Sequence, residues 1–110
     1  MDLIVYNDMK DNNKIIEKLR DLLPHLQKEF NISKLELFGS VASGDFTRDS
    51  DLDLIYHLKD RKTLTYAQYV KIKELIAEKV DFDKIDLIRA ENLNPVIQMT
   101  SENNRVNIDG

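Results

Sequence analysis

Phe38-Gly39-Ser40-Val41-Ala42-Ser43-Gly44-Asp45-Phe46-Thr47-Arg48-Asp49-Ser50-Asp51-Leu52-Asp53-Leu54 is the stretch on which the reading of this chain turns. It holds two of the three glycines and ends in two carboxylates, Asp51 and Asp53, one residue apart in an otherwise apolar run. A Gly39-Ser40 turn suits a phosphate, because glycine lets the backbone approach closely and free N–H groups can point at oxygen. Two carboxylates at i and i+2 of a strand emerge on one face, an arrangement suited to a divalent cation. Phosphate and metal together point to a nucleotide and to chemistry upon it.

The flanking sequence supplies the scaffold. Lys34-Leu35-Glu36-Leu37-Phe38 alternates polar and apolar residues and predicts a strand leading into Gly39. Ser40 to Ser43 has room for one helical turn, closed by Gly44, and 45–50 is polar enough to be a loop. From Asp51 to Leu58 the alternation resumes, with Leu52, Leu54 and Tyr56 on one face and the aspartates on the other, and predicts a second strand. Asp49-Ser50-Asp51-Leu52-Asp53 begins like a calcium-binding EF-hand loop, but Leu54 stands where that loop needs glycine and Asp60 where it needs glutamate. The strand reading therefore holds.

Upstream, Asp11 or Asn12 can cap a helix carrying Ile15, Ile16, Leu19, Leu22 and Leu23 at helical spacing. Pro24 predicts a break there and a restart with Leu26 and Phe30, and Asn31 ends the segment. Residues 1–10 contain the short apolar run Leu3-Ile4-Val5-Tyr6, read as an N-terminal arm or an added strand. Downstream, 59–62 is a charged, solvated turn. Thr63 or Thr65 can cap a helix to about Lys79, with Tyr66, Tyr69, Val70, Ile76, Ala77 and Val80 as its apolar face. The tyrosines at this spacing fit a core edge better than a nucleobase platform. Lys84-Ile85-Asp86-Leu87-Ile88 predicts a third strand, Val96 to Glu102 a helix, and Arg105 to Ile108 a last edge strand. This element order predicts an α/β (α+β) fold, a small mixed sheet with helices packed on it.

A carboxylate at Asp86 disfavours its strand and is costly to desolvate unless it is paired or bound to a cation. If the second and third strands are neighbours, Asp86 joins Asp51 and Asp53 in a cluster with too much like charge to stay fully ionised without metal. Magnesium, which favours oxygen ligands and phosphates, is the natural partner.

Composition bounds the alternatives. At 110 residues the chain has the size of one domain, 1–110. Its formal net charge of −4 argues against extended nucleic-acid binding. The absence of cysteine excludes disulfides, thiolate metal sites and cysteine nucleophiles. His25 and His57 do not resemble a ligand pair. There is no leader-like or membrane-length apolar run, and the expected location is cytoplasmic.

The pattern Gly39-Ser40, ten residues, then Asp51-x-Asp53 resembles the nucleotidyltransferase signature of the DNA polymerase beta superfamily. In its compact form, Phe38-Gly39-Ser40-x-Ala42-x-Gly44-Asp45 followed by Ser50-Asp51-Leu52-Asp53-Leu54, it is similar to the minimal nucleotidyltransferases (MNT), partners of small helical HEPN proteins. The similarity runs from about Asn12 through Ile85-Asp86-Leu87-Ile88 and Leu93-Asn94-Pro95. The resemblance implies a polymerase-beta-like fold. Gly39 and Ser40 would hold the triphosphate of ATP. Asp51, Asp53 and Asp86 would be catalytic and hold Mg2+, with two ions implied. The reaction would be in-line attack on the α-phosphorus.

MNT proteins of this kind act as antitoxins, transferring AMP to a tyrosine of a HEPN ribonuclease toxin, which implies a hetero-oligomer with that protein. Alternatives are a non-catalytic antitoxin that acts by binding alone, and a small-molecule or RNA nucleotidyltransferase. Two positions depart from the pattern or leave it open. Ser43 stands where many members carry arginine, with Arg48 as a candidate substitute. Asp81 in Val80-Asp81-Phe82 competes with Asp86, which the spacing to Leu93-Asn94-Pro95 favours.

Overall fold

The computed structural model describes residues 12–47, 49–93 and 105–109. The expectations for residues 1–10, Asp11, Arg48 and the helix at 96–102 lie outside them. Helix α1 spans Asn12–Phe30 and buries Ile15, Leu19, Leu23 and Leu26, one stripe at helical spacing. The expected break at Pro24 does not occur; the helix runs through it. Pro24 is exposed, whereas Leu23 and Leu26 on either side are buried. A proline inside a helix costs about 3 kcal/mol, but each buried leucine returns about 1.5–3 kcal/mol, so packing on both sides outweighs the lost hydrogen bond. Asn31 ends the helix in the left-handed region, φ 61, which asparagine tolerates better than most residues.

Strand β1 (Ile32–Phe38) leads into a short helix, α2 (Gly39–Ser43), followed by β2 (Leu52–Leu58), helix α3 (Tyr66–Val80), β3 (Ile85–Arg89), a 3-10 turn (Ala90–Asn92) and β4 (Val106–Ile108). The sheet order is β3-β2-β1-β4. β1 is antiparallel to β2 and β4, while β2 and β3 are parallel. A parallel pair needs a crossover between its strands, and α3 is that crossover.

Thr65, one of the two expected caps, starts α3. Its hydroxyl accepts from the Gln68 N–H (3.1 Å) and the Gln68 side chain accepts from the Thr65 N–H (3.0 Å), a reciprocal capping box. The buried stripe of α3 is Ile72, Ile76 and Val80. The expected apolar face omitted Ile72 and included Tyr66, which is 81% exposed. Tyr66 opens the helix, beyond the reach of the core.

Leu35, Leu37, Leu52, Leu54, Tyr56, Ile85, Leu87 and Ile108 form one core cluster with the buried residues of α1 and α3. Strand alternation therefore sends Glu36, Asp53, Ile55, His57 and Asp86 to the opposite face of the sheet. Ile55 is fully buried there, outside that cluster. Among the described residues no helix is long and apolar enough to cross a membrane.

Candidate active site

The connection from β1 to β2 builds one wall of the site. Phe38 closes β1 directly opposite Asp53, and the next residue, Gly39, turns the chain with φ +77. A Cβ at Gly39 would collide with the Asp53 carboxylate. Glycine is thus required twice, for the backbone angle and for the carboxylate packed against it. Gly44 closes α2 in the left-handed region, φ 82, its N–H donating to the Val41 carbonyl (3.1 Å). Ser43 does not reach outward as an arginine would; its hydroxyl donates to the Ser40 carbonyl at 3.1 Å.

The Asn12 side chain reaches across from the start of α1 and donates to the carbonyls of Val41 (3.0 Å) and Ala42 (3.2 Å). It ties the first helix to the Gly-Ser turn. Sequence reading saw Asn12 only as a helix cap, because a contact across 29 residues leaves no local pattern.

The second wall is the pair β2–β3. Their parallel register places Asp53 opposite Asp86, flanked by Leu52 opposite Ile85 and Leu54 opposite Leu87. Asp51 precedes β2 by one residue and is exposed. Asp81, the rival third carboxylate, instead sits in the left-handed region at the end of α3 (φ 60) and is exposed. The structure therefore brings Asp53, Asp86 and the Gly39 turn together, with Asp51 beside them.

Burial, followed by the nearby charges of Asp86 and Asp51, pushes the Asp53 carboxyl up from its ordinary 3.8 to about 6. Among the described residues no group of three carboxylates or imidazoles is placed to hold a metal ion. Magnesium does not need one: it binds through one or two carboxylates, with substrate phosphates and waters completing its octahedron. An all-oxygen donor set with a destabilised carboxylate at its centre fits that ion.

Glu36, a polar position in the alternation of β1, is buried. Its carboxylate meets His57 Nε2 at 2.7 Å and Arg105 Nη1 at 3.6 Å. An isolated buried charge is costly, and these partners offset the cost. The alternation that revealed strand β1 concealed this, since periodicity assigns a face without showing what covers it.

The family profile described as polymerase beta, nucleotidyltransferase matches residues 13–108. The chain belongs to this family. It is 30% identical over 95 residues to a candidate protein adenylyltransferase of Methanocaldococcus jannaschii, covering 86% of this nucleotidyltransferase and 94% of the relative. A toxin-antitoxin crystal structure with AMP-PNP superposes with a TM-score of 0.61 at 27% identity, covering 91% of this chain and 73% of that one. A complex of tri-AMPylated HEPN toxin with MNT antitoxin from Shewanella oneidensis shares the fold, with a TM-score of 0.54 at 23% identity, 90% of this chain and 69% of that one.

Proposed function

We propose that this nucleotidyltransferase is a magnesium-dependent protein adenylyltransferase, the antitoxin of a HEPN ribonuclease toxin, and that it transfers AMP from ATP to a tyrosine of that toxin. The observation that carries the reading is the register of Asp53 opposite Asp86, with Asp53 packed against the Gly39 turn. The relative named a candidate protein adenylyltransferase and the toxin-antitoxin structure with AMP-PNP support the choice of donor and acceptor.

Gly39 and Ser40 hold the triphosphate in this reading. Asp51, Asp53 and Asp86 would hold magnesium, two ions between them, and the metal would supply positive charge that steadies the reacting phosphate oxygens. Asp86 orients the tyrosine hydroxyl and takes its proton. The phenolic oxygen bonds to the α-phosphorus as the bond to the bridging oxygen breaks, and pyrophosphate leaves with that electron pair.

The test mixes the protein with the protein encoded beside it, ATP and magnesium, and follows intact mass. The expected result is an increment of AMP on the partner that disappears in Asp51→Asn. Protection from the toxin that survives in Asp51→Asn, with no mass change in either protein, would instead establish antitoxin action by binding alone.

A further inference from the structure

A groove of about 580 Å3 runs between α3 and the start of β3, the edge strand of the sheet. Tyr66, Tyr69, Val70 and Lys73 line it from the helix, and Asp51 and Asp86 are also in its lining. The volume is in the range of ordinary ligand pockets, about 300–1,000 Å3. Gly39 follows β1, on the far side of Asp53 from β3. In the plane of the sheet Asp53 thus lies between the Gly39 turn and β3, the strand that borders this groove.

In-line phosphoryl transfer sets a constraint on that arrangement. Attacking and leaving oxygens stand on opposite sides of the reacting phosphorus. A triphosphate held at Gly39-Ser40 directs pyrophosphate departure toward β1, and the acceptor must then arrive from the β3 side.

We propose that the α3–β3 groove is the acceptor's approach path and receives the tyrosine-bearing segment of the partner polypeptide. The inference rests on the adenylyltransferase reading above. Three features of the groove match that occupant. Tyr69 is locked in place, its hydroxyl donating to the Leu87 carbonyl at 2.7 Å, and it carries the Lys73 ammonium over its ring at 5.6 Å, so this wall is rigid and partly apolar. Tyr66 is 81% exposed, with no core role to explain an aromatic there, and aromatics are the side chains that anchor protein interfaces. Asp86, the proton acceptor in the proposed reaction, is part of the groove lining.

The protein contains no cysteine, so Tyr66→Cys introduces a single thiol for a bulky maleimide, with the exposed α1 position Lys18→Cys as the labelled control. Two readouts are taken with magnesium: AMP incorporation into the protein encoded beside this chain, and affinity for AMP-PNP by calorimetry. Labelling Tyr66→Cys is expected to lower kcat/KM for the acceptor by about tenfold or more, the loss expected from blocking one anchor. AMP-PNP affinity stays unchanged, and labelled Lys18→Cys behaves as wild type. Lys73→Glu, which alters the same wall without bulk, is expected to raise the acceptor KM.

Undiminished transfer, or a loss shared by the Lys18→Cys control, overturns the groove assignment alone. A parallel loss of AMP-PNP affinity overturns it in favour of a nucleotide-base site. Wild-type protein that transfers AMP to no partner overturns the adenylyltransferase reading, and the inference with it.

Discussion

Asp53→Asn should stabilise the metal-free protein, and by an amount that depends on pH in a defined direction. In the folded chain the Asp53 carboxyl titrates at about 6 rather than 3.8. The folded state therefore holds this proton more tightly than the unfolded state, and stability falls as pH rises between those values. Below the ordinary value the carboxyl is neutral in both states and contributes no penalty. Above about 6 it is charged in both, and the full penalty applies.

Two pK units correspond to about 3 kcal/mol. Asp53 is only half-buried, and screening by water reduces this to about 1–2 kcal/mol. For a chain of 110 residues that is a rise in Tm of roughly 5–10 °C. The assay is urea unfolding of both proteins from pH 3.5 to 8 in chelator. The gap should be near zero at the acid end, open between about pH 4 and 6 and level off by pH 7. Saturating magnesium should narrow it by stabilising the wild type more than the variant. A gap independent of pH, or a variant less stable than wild type at pH 7, would refute the reasoning.

Other predictions address the turn and the first helix. Gly39→Ala should destabilise the fold by about 1–2 kcal/mol for its left-handed backbone alone, and should abolish nucleotide transfer by displacing Asp53; unfolding and AMP incorporation check the two parts. Asn12→Ala leaves the Val41 and Ala42 carbonyls without their side-chain donor, which should cost about 1–2 kcal/mol in urea unfolding and raise the KM for ATP through a loosened Gly-Ser turn. Pro24→Ala should stabilise the protein by about 1–2 kcal/mol, the helical gain of up to about 3 kcal/mol being offset by a more flexible unfolded chain. An unchanged or lowered midpoint would show that Pro24 carries no net cost in this helix.

Much of the scaffold was legible because local pattern and tertiary fold agree. The alternation in 34–38 and 51–58 identified β1 and β2, and the small residues from Gly39 to Gly44 identified a helical turn between them. The family signature connected Gly39-Ser40 to Asp51 and Asp53 because its spacing reflects a strand, a turn and a returning strand. Legibility failed where long-range packing outweighs local preference. Pro24 is a helix breaker by propensity, yet the buried leucines around it continue α1. Tyr66 matches the period of α3 but opens the helix exposed, while Ile72 carries the burial.

What the sequence determined by itself is the set of carboxylates, the Gly-Ser turn and the strands that bear them, because these are properties of short segments with a period of two or of a single turn. Only the tertiary structure decided that Asp53 faces Asp86 across a parallel register, that its carboxylate leaves no room for a side chain at Gly39, and that Asn12 holds the turn from another helix. Strand order and register arise from burying one continuous core between α1, α3 and the sheet. No short window of sequence contains that competition.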